Sequence, residues 1–179
     1  MSHANPSRTV AMRNASSAGQ RMAKPAAVAL SIGGVLAAGL IGASFGPQHP
    51  REAVWYASLR KPSYTPPGPA IGGVWGVLET LLCVTGYRVL TAPPSVPRTV
   101  ALASWTATLA GLAGFPAEFF GRKQLGGSTA VAASMFAAAS VTASAAARVD
   151  TVAALATAPL VLWTGFATLL SEEIWRRNR

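Results

Sequence analysis

Cysteine, histidine and acidic residues are all scarce in this chain. Cys83 is the only cysteine in 179 residues, so no intrachain disulfide can form. The two histidines, His3 and His49, lie far apart in polar stretches. With a single cysteine they offer no ligand spacing, and a metal site is not expected. Six acidic residues stand against fifteen Lys and Arg, a formal net charge of +9. All charged residues together make up 12% of the chain, where a soluble domain carries about 25%. No Ser-His-Asp set, P-loop or Gly-rich dinucleotide fingerprint occurs. The usual enzyme constellations are therefore missing, and no cofactor is expected.

The chain is instead 51% hydrophobic. Its cations do not gather in the single stripe that a nucleic-acid binder needs. They sit in short groups between apolar runs: Arg51, Arg60 with Lys61, Arg122 with Lys123, then Arg176, Arg177 and Arg179. Membrane-water interfaces favour that placement, and nucleic acid is not an expected partner. Residues 1–24 hold Arg8, Arg13, Arg21 and Lys24 and no acid. They read as a disordered basic tail, either touching anionic lipid or simply solvated.

Residues 25–179 contain five apolar runs, from about Pro25 to Phe45, Ala70 to Ala92, Thr99 to Gly121, Gln124 to Ala147 and Thr151 to Trp175. Each is near the roughly 20 residues that a helix needs to cross the hydrocarbon core. Barrel strands alternate and are shorter, so helices are expected. A cleaved signal peptide is the competing reading of the first run, although that run exceeds the usual apolar length. The predicted fold is an all-α bundle of five transmembrane helices, integral and multi-pass. Cations divide almost evenly between the two sides, so the positive-inside rule sets no orientation. Ala103, Ala107 and Gly111 recur every four residues in the third run. Such a small-residue face seats either a neighbouring helix or a second copy in a homodimer.

The most informative stretch is Trp55–Leu90, WYASLRKPSYTPPGPAIGGVWGVLETLLCVTGYRVL. Pro62, Pro66, Pro67 and Pro69 predict a stiff, non-helical path over 62–69. Trp55, Tyr56 and Tyr64 flank it, as amphipathic aromatics do at an interface. A stiff aromatic loop beside a bundle reads as a lid or as an interfacial anchor.

The order Trp55-Tyr56, Leu59-Arg60-Lys61-Pro62, Tyr64-Thr65-Pro66-Pro67 and Val74-Trp75 closely resembles the TspO family, which includes the translocator proteins. Phe115-Pro116 with Phe119-Phe120-Gly121, Asp150, and Pro159, Trp163, Phe166, Ala167, Leu170, Trp175 and Asn178 extend the resemblance over about residues 35 to 178. The resemblance implies a flat hydrophobic ligand, a tetrapyrrole such as protoporphyrin, held among the helices, with a sensory, transport or tetrapyrrole-handling role. It implies a site drawn from Trp55, Tyr56, Tyr64, Pro66, Pro67, Trp75, Glu79, Phe115, Pro116, Trp163 and Phe166. Light-dependent porphyrin breakdown through Trp75 and Trp163, and small-molecule export, are the alternative roles.

The chain departs from the family pattern at Glu79, Leu112, Phe115, Ser171 and Glu172. The last of these removes the Tyr of a proposed cholesterol motif. Trp75 and Trp163 lie near the middle of their runs, where Trp is less expected than at an interface. Glu79 is one turn from Trp75 and shares its face. A carboxylate within a span is costly by a few kcal/mol. It either meets a polar or cationic ligand group or stays neutral against a backbone carbonyl or hydroxyl.

Overall fold

The computed structural model describes residues 22–179; the basic stretch expected at 1–24 lies, up to residue 21, outside the described residues. Six α-helices follow in order. They are α1 (Lys24–Ala43), α2 (Pro50–Ser58), α3 (Gly68–Thr91), α4 (Val96–Pro116), α5 (Leu125–Ala146) and α6 (Thr151–Arg177). A π-helical turn, Ala117–Gly121, extends α4. All but α2 are long and apolar enough to cross a membrane, five spans in total. The chain is therefore a multi-pass integral membrane protein.

The helix starts follow local chemistry. Pro25, Pro50, Pro69 and Pro97 each sit in a first helical turn, where the missing N–H costs nothing. Ser95 Oγ accepts the Arg98 N–H at 3.3 Å and caps α4. Asp150 accepts the Ala153 N–H at 2.9 Å and caps α6. This placement corrects the expected non-helical path over 62–69. That path ends at Pro67, because Gly68 and Pro69 already belong to α3. Proline blocks a helix interior but not its first turn.

The five spans close into a ring in which α1 meets α3, α3 meets α6, α6 meets α5, α5 meets α4, and α4 returns to α1. Hydrophobicity does not drive association within lipid, so close backbone approach must. Buried Ala132, Ala139, Ala145 and Ala146 give α5 that close approach. Where α1, α3 and α4 meet, a Cβ at Gly86 would lie 2.6 Å from the Trp105 ring. Only glycine lets the indole fill the space. Trp105 then donates its indole N–H to the Leu82 carbonyl at 3.1 Å. Val35, Leu78, Leu82, Leu109, Leu112, Met135 and Leu160 complete this core.

The core fills only part of the ring. Along α3 nothing from Gly68 to Val77 is buried, whereas Leu78, Leu82, Thr85, Gly86, Val89 and Leu90 are. The half of the bundle beside α2 and the 59–67 segment is thus the looser one.

Candidate functional site

The segment after α1 is built to stay in one shape. Lys61 Nζ donates to the carbonyls of Tyr56 at 2.5 Å and Leu59 at 3.3 Å, satisfying the open end of α2. The same ammonium lies 4.5 Å from the Tyr56 ring centroid. Thr65 turns back on the Pro62 carbonyl through both its N–H and its hydroxyl. Asn178, just past α6, clasps the segment from the far end of the sequence. Its Oδ1 accepts the Arg60 N–H and its Nδ2 donates to the Arg60 carbonyl, both at 2.9 Å.

Two aromatic groups lie beneath this segment. In the first, Trp55 and Tyr56 of α2 meet Phe119 edge-on at 5.4 and 6.1 Å, and Phe115 stacks on Phe119 at 5.5 Å. Phe120 closes the group. Burial here pushes the Tyr56 phenol above its usual pKa. The π-helical turn sets this arrangement, because its wider winding turns both Phe119 and Phe120 toward α2. The second group joins Tyr64 of the loop to Phe166 at 6.4 Å, and Phe166 to Trp163 at 5.5 Å.

The second group borders a groove between α3 and α6 with a volume of about 810 Å³. Pro66, Ala70, Val74 and Val77 form one wall, with Pro159, Leu162, Trp163 and Phe166 opposite. Nothing lies within 4 Å of where a Cβ at Gly73 would stand, so that glycine widens the groove. The indole N–H of Trp163 is buried with no hydrogen-bond partner, alone in this among the described residues. An unpaired buried donor costs about 1–3 kcal/mol.

The expected site residues therefore fall in three places. Pro66, Trp163 and Phe166 share the groove, with Tyr64 at its edge. Trp55, Tyr56 and Phe115 belong to the group under α2, and Pro116 packs against Gly42 of α1. Pro67 caps α3, its carbonyl accepting the N–H groups of Ala70 and Ile71. Trp75 and Glu79 are not among the residues that line the groove. Glu79 Oε1 lies 3.2 Å from where a Cβ at Gly39 would stand. Trp75 packs half-buried against the core.

Sequence reasoning did not single out Val74, Val77 or Leu162 for the groove, nor Asn178 as the clasp. The period-3.6 spacing of Ala70, Val74 and Val77 on α3 and of Pro159, Leu162 and Phe166 on α6 carried the groove signal. The small-residue face also divides. Ala103 and Ala107 are exposed, while Gly111 is covered by Met135 of the same chain, 3.0 Å from a Cβ position.

Comparison with known proteins agrees with this architecture. The model of the TspO/MBR family matches residues 31–176. The human Translocator protein is 34% identical over 130 residues, covering 69% of this chain and 75% of that protein. Protein CrtK of Rhodobacter capsulatus is 30% identical over 142 residues, covering 79% of this chain and 86% of that protein. Tryptophan-rich protein TspO of Bacillus cereus is 47% identical over a 36-residue segment, 20% of this chain and 24% of that protein.

Proposed function

Because the chain belongs to the TspO/MBR family, we propose that it binds a flat hydrophobic ligand, a tetrapyrrole such as protoporphyrin, in the groove between α3 and α6. The observation that carries this reading is the groove itself. At about 810 Å³ it falls within the roughly 300–1,000 Å³ of small-molecule sites. Its wall is made of apolar side chains with two aromatic rings at one edge. Such a wall recognises area and flatness before it recognises polar groups.

In this reading the macrocycle lies against Trp163 and Phe166. Tyr64 and Pro66 close over it from the loop, which the Asn178 clasp and the Lys61 cap hold at the mouth. The groove opens sideways toward the bilayer, so a lipid-dissolved ligand reaches it without crossing water. A second copy of the chain is proposed to use the exposed Ala103–Ala107 strip of α4, away from the groove.

The test is a titration of purified protein with protoporphyrin in the dark, followed by tryptophan quenching. Saturable quenching is expected, weakened about tenfold by Trp163→Phe through loss of stacking area. Absence of saturable quenching overturns the reading.

A further inference from the structure

The groove between α3 and α6 suits the flat part of a porphyrin, but nothing in it answers a carboxylate. Its lining is apolar apart from the Trp163 indole N–H. One neutral donor does not offset the cost of placing a carboxylate in hydrocarbon. Protoporphyrin carries both of its carboxylates on one edge, so that edge has to leave the groove toward water. Beyond Leu78 and Pro159 the way is closed, because buried Leu82, Thr85 and Thr157 fill the contact between α3 and α6. The 59–67 segment marks the open end.

Most cations at this end of the bundle are already engaged. Lys61 caps the carbonyls of α2. Arg122 and Arg177 are held by Glu118 and Glu173 at 2.6 and 2.8 Å, and Arg176 lies 3.9 Å from Glu172. Lys123 and Arg179 lie over the Trp55 and Trp175 rings. Trp175 itself packs on Gly126 of α5, which places Arg179 on the far side of α6 from α3. Arg51 borders a separate hollow with Ser44 and His49.

Arg60 is different. Its backbone is fixed by the two 2.9 Å hydrogen bonds to Asn178. Its exposed guanidinium has no acidic partner among the described residues. It belongs to the same short segment as Tyr64 and Pro66, which border the groove. From Phe166 to Arg177, beside the clasp, α6 rises about 17 Å. The propionate edge of a macrocycle seated at Phe166 and an extended arginine side chain reach toward each other across that rise.

We propose that Arg60 is the residue that makes the groove selective for a ligand with a carboxylated edge, by pairing with a carboxylate that projects past Tyr64. The inference rests on the groove reading above and adds the ligand's orientation, carboxylates toward the 59–67 segment and the opposite edge toward mid-span. The planar guanidinium matches a carboxylate in two parallel hydrogen bonds. Because the clasp uses only the backbone of Arg60, its side chain is free for this role.

The test compares protoporphyrin with its dimethyl ester, which keeps the ring and removes both charges. Each is titrated in the dark into the full chain in lipid nanodiscs and followed by tryptophan quenching. The comparison is made between variants, so the compounds' different partition into lipid cancels. Arg60→Gln is expected to weaken the acid about fivefold, as for a solvent-exposed ion pair, and to leave the ester unchanged. Arg60→Lys, which keeps the charge, should retain most of the acid's affinity. Arg179→Gln should change neither compound, and Trp163→Phe should weaken both alike. If Arg60→Gln shifts acid and ester equally, or shifts neither, the role of Arg60 is overturned while the groove stands. If neither compound quenches saturably in wild type, the groove reading fails and this inference with it.

Discussion

Where α3 ends and α6 begins, Arg88 grips Asp150 through two contacts, Nε to Oδ1 at 3.1 Å and a second guanidinium nitrogen to Oδ2 at 2.8 Å. Arg98 closes over the last carbonyls of α3, donating to Val89 and Leu90 at 3.0 and 2.9 Å. Between them, buried Thr85 and Thr157 share a hydrogen bond across α3 and α6 at 3.1 Å. From mid-span toward the 59–67 segment the same helices behave differently. Among the described residues Glu79 makes no ion pair and the buried Trp163 indole N–H has no partner, and four glycines of α3 (Gly68, Gly72, Gly73 and Gly76) stand in open space. One half of the bundle is closed by paired polar groups and small-residue contacts, and the other is left with a groove and open space. Concentrating rigidity in one half lets the same helices hold a fixed frame while presenting unfilled surfaces.

The two central tryptophans give the sharpest way to break that comparison. Trp105 is packed on Gly86 and donates to Leu82, while Trp163 has no acceptor. Trp105→Ala should cost about 3 kcal/mol by leaving a void that Gly86 cannot fill. It is measured as a lowered thermal unfolding midpoint in detergent. An unchanged midpoint would mean that the closed half does not carry the stability.

Trp163→Phe should have the opposite sign. It removes an unsatisfied donor and keeps an aromatic ring, so the midpoint should hold or rise, with relief on the order of 1 kcal/mol. Protoporphyrin affinity should fall in the same variant. A destabilised Trp163→Phe would show that its N–H has a structural partner and that the groove half is not the looser one.

The Arg88–Asp150 pair predicts how acid acts on the closed end. Burial alone would push the Asp150 carboxyl up. Hydrogen bonds from Arg88 and the Ala153 N–H, and the Arg88 charge, nonetheless hold it below the ordinary carboxylate value. A carboxyl whose pKa is depressed on folding contributes stability above its unfolded value, about 3.9, and loses it as pH falls through the folded value. Wild type and Asp150→Asn should therefore differ at neutral pH and converge in strong acid. The pair is partly exposed, its side chains 41% and 21% accessible, so the neutral-pH difference should be no more than about 1 kcal/mol. Melting curves across pH measure it.

Much of the frame was legible in the residues because lipid imposes a simple rule: each span must be long, apolar and helical. The expected start at Thr151 is the observed start of α6, and the run expected from Gln124 begins at Leu125. Glu118 with Arg122, four apart, pair as their spacing implies, at 2.6 Å. The short helix α2 was not read, since Pro50–Ser58 carries mixed polarity and no span-length signal. The pairing of Asp150 with Arg88 joins residues 62 positions apart, which no local pattern encodes. The same limit applies to the site. Aromatic residues near prolines marked the loop end. Trp75 and Trp163, both mid-span, gave no sign that only Trp163 would line the groove, because that depends on how α3 and α6 are rotated against each other.

The clasp at Asn178 is the finest test of the contrast, because it joins the two halves' logic in one residue. Its amide holds the backbone of Arg60 through two hydrogen bonds and caps the Ile174 carbonyl at 2.7 Å. The bonds to Arg60 are solvent-exposed. Losing them should cost only about 0.5 kcal/mol of global stability, since water replaces the partners. They nevertheless tie residues 59–67, which carry Tyr64 and Pro66, to the end of α6. Asn178→Ala should leave the unfolding midpoint within error while amide hydrogen exchange across 59–67 accelerates. Protoporphyrin association and release should both quicken, because the mouth of the groove opens more often while its walls stay in place. If exchange quickens instead at the Arg88–Asp150 end, the two halves are mechanically one, and the division between frame and binding surface is wrong.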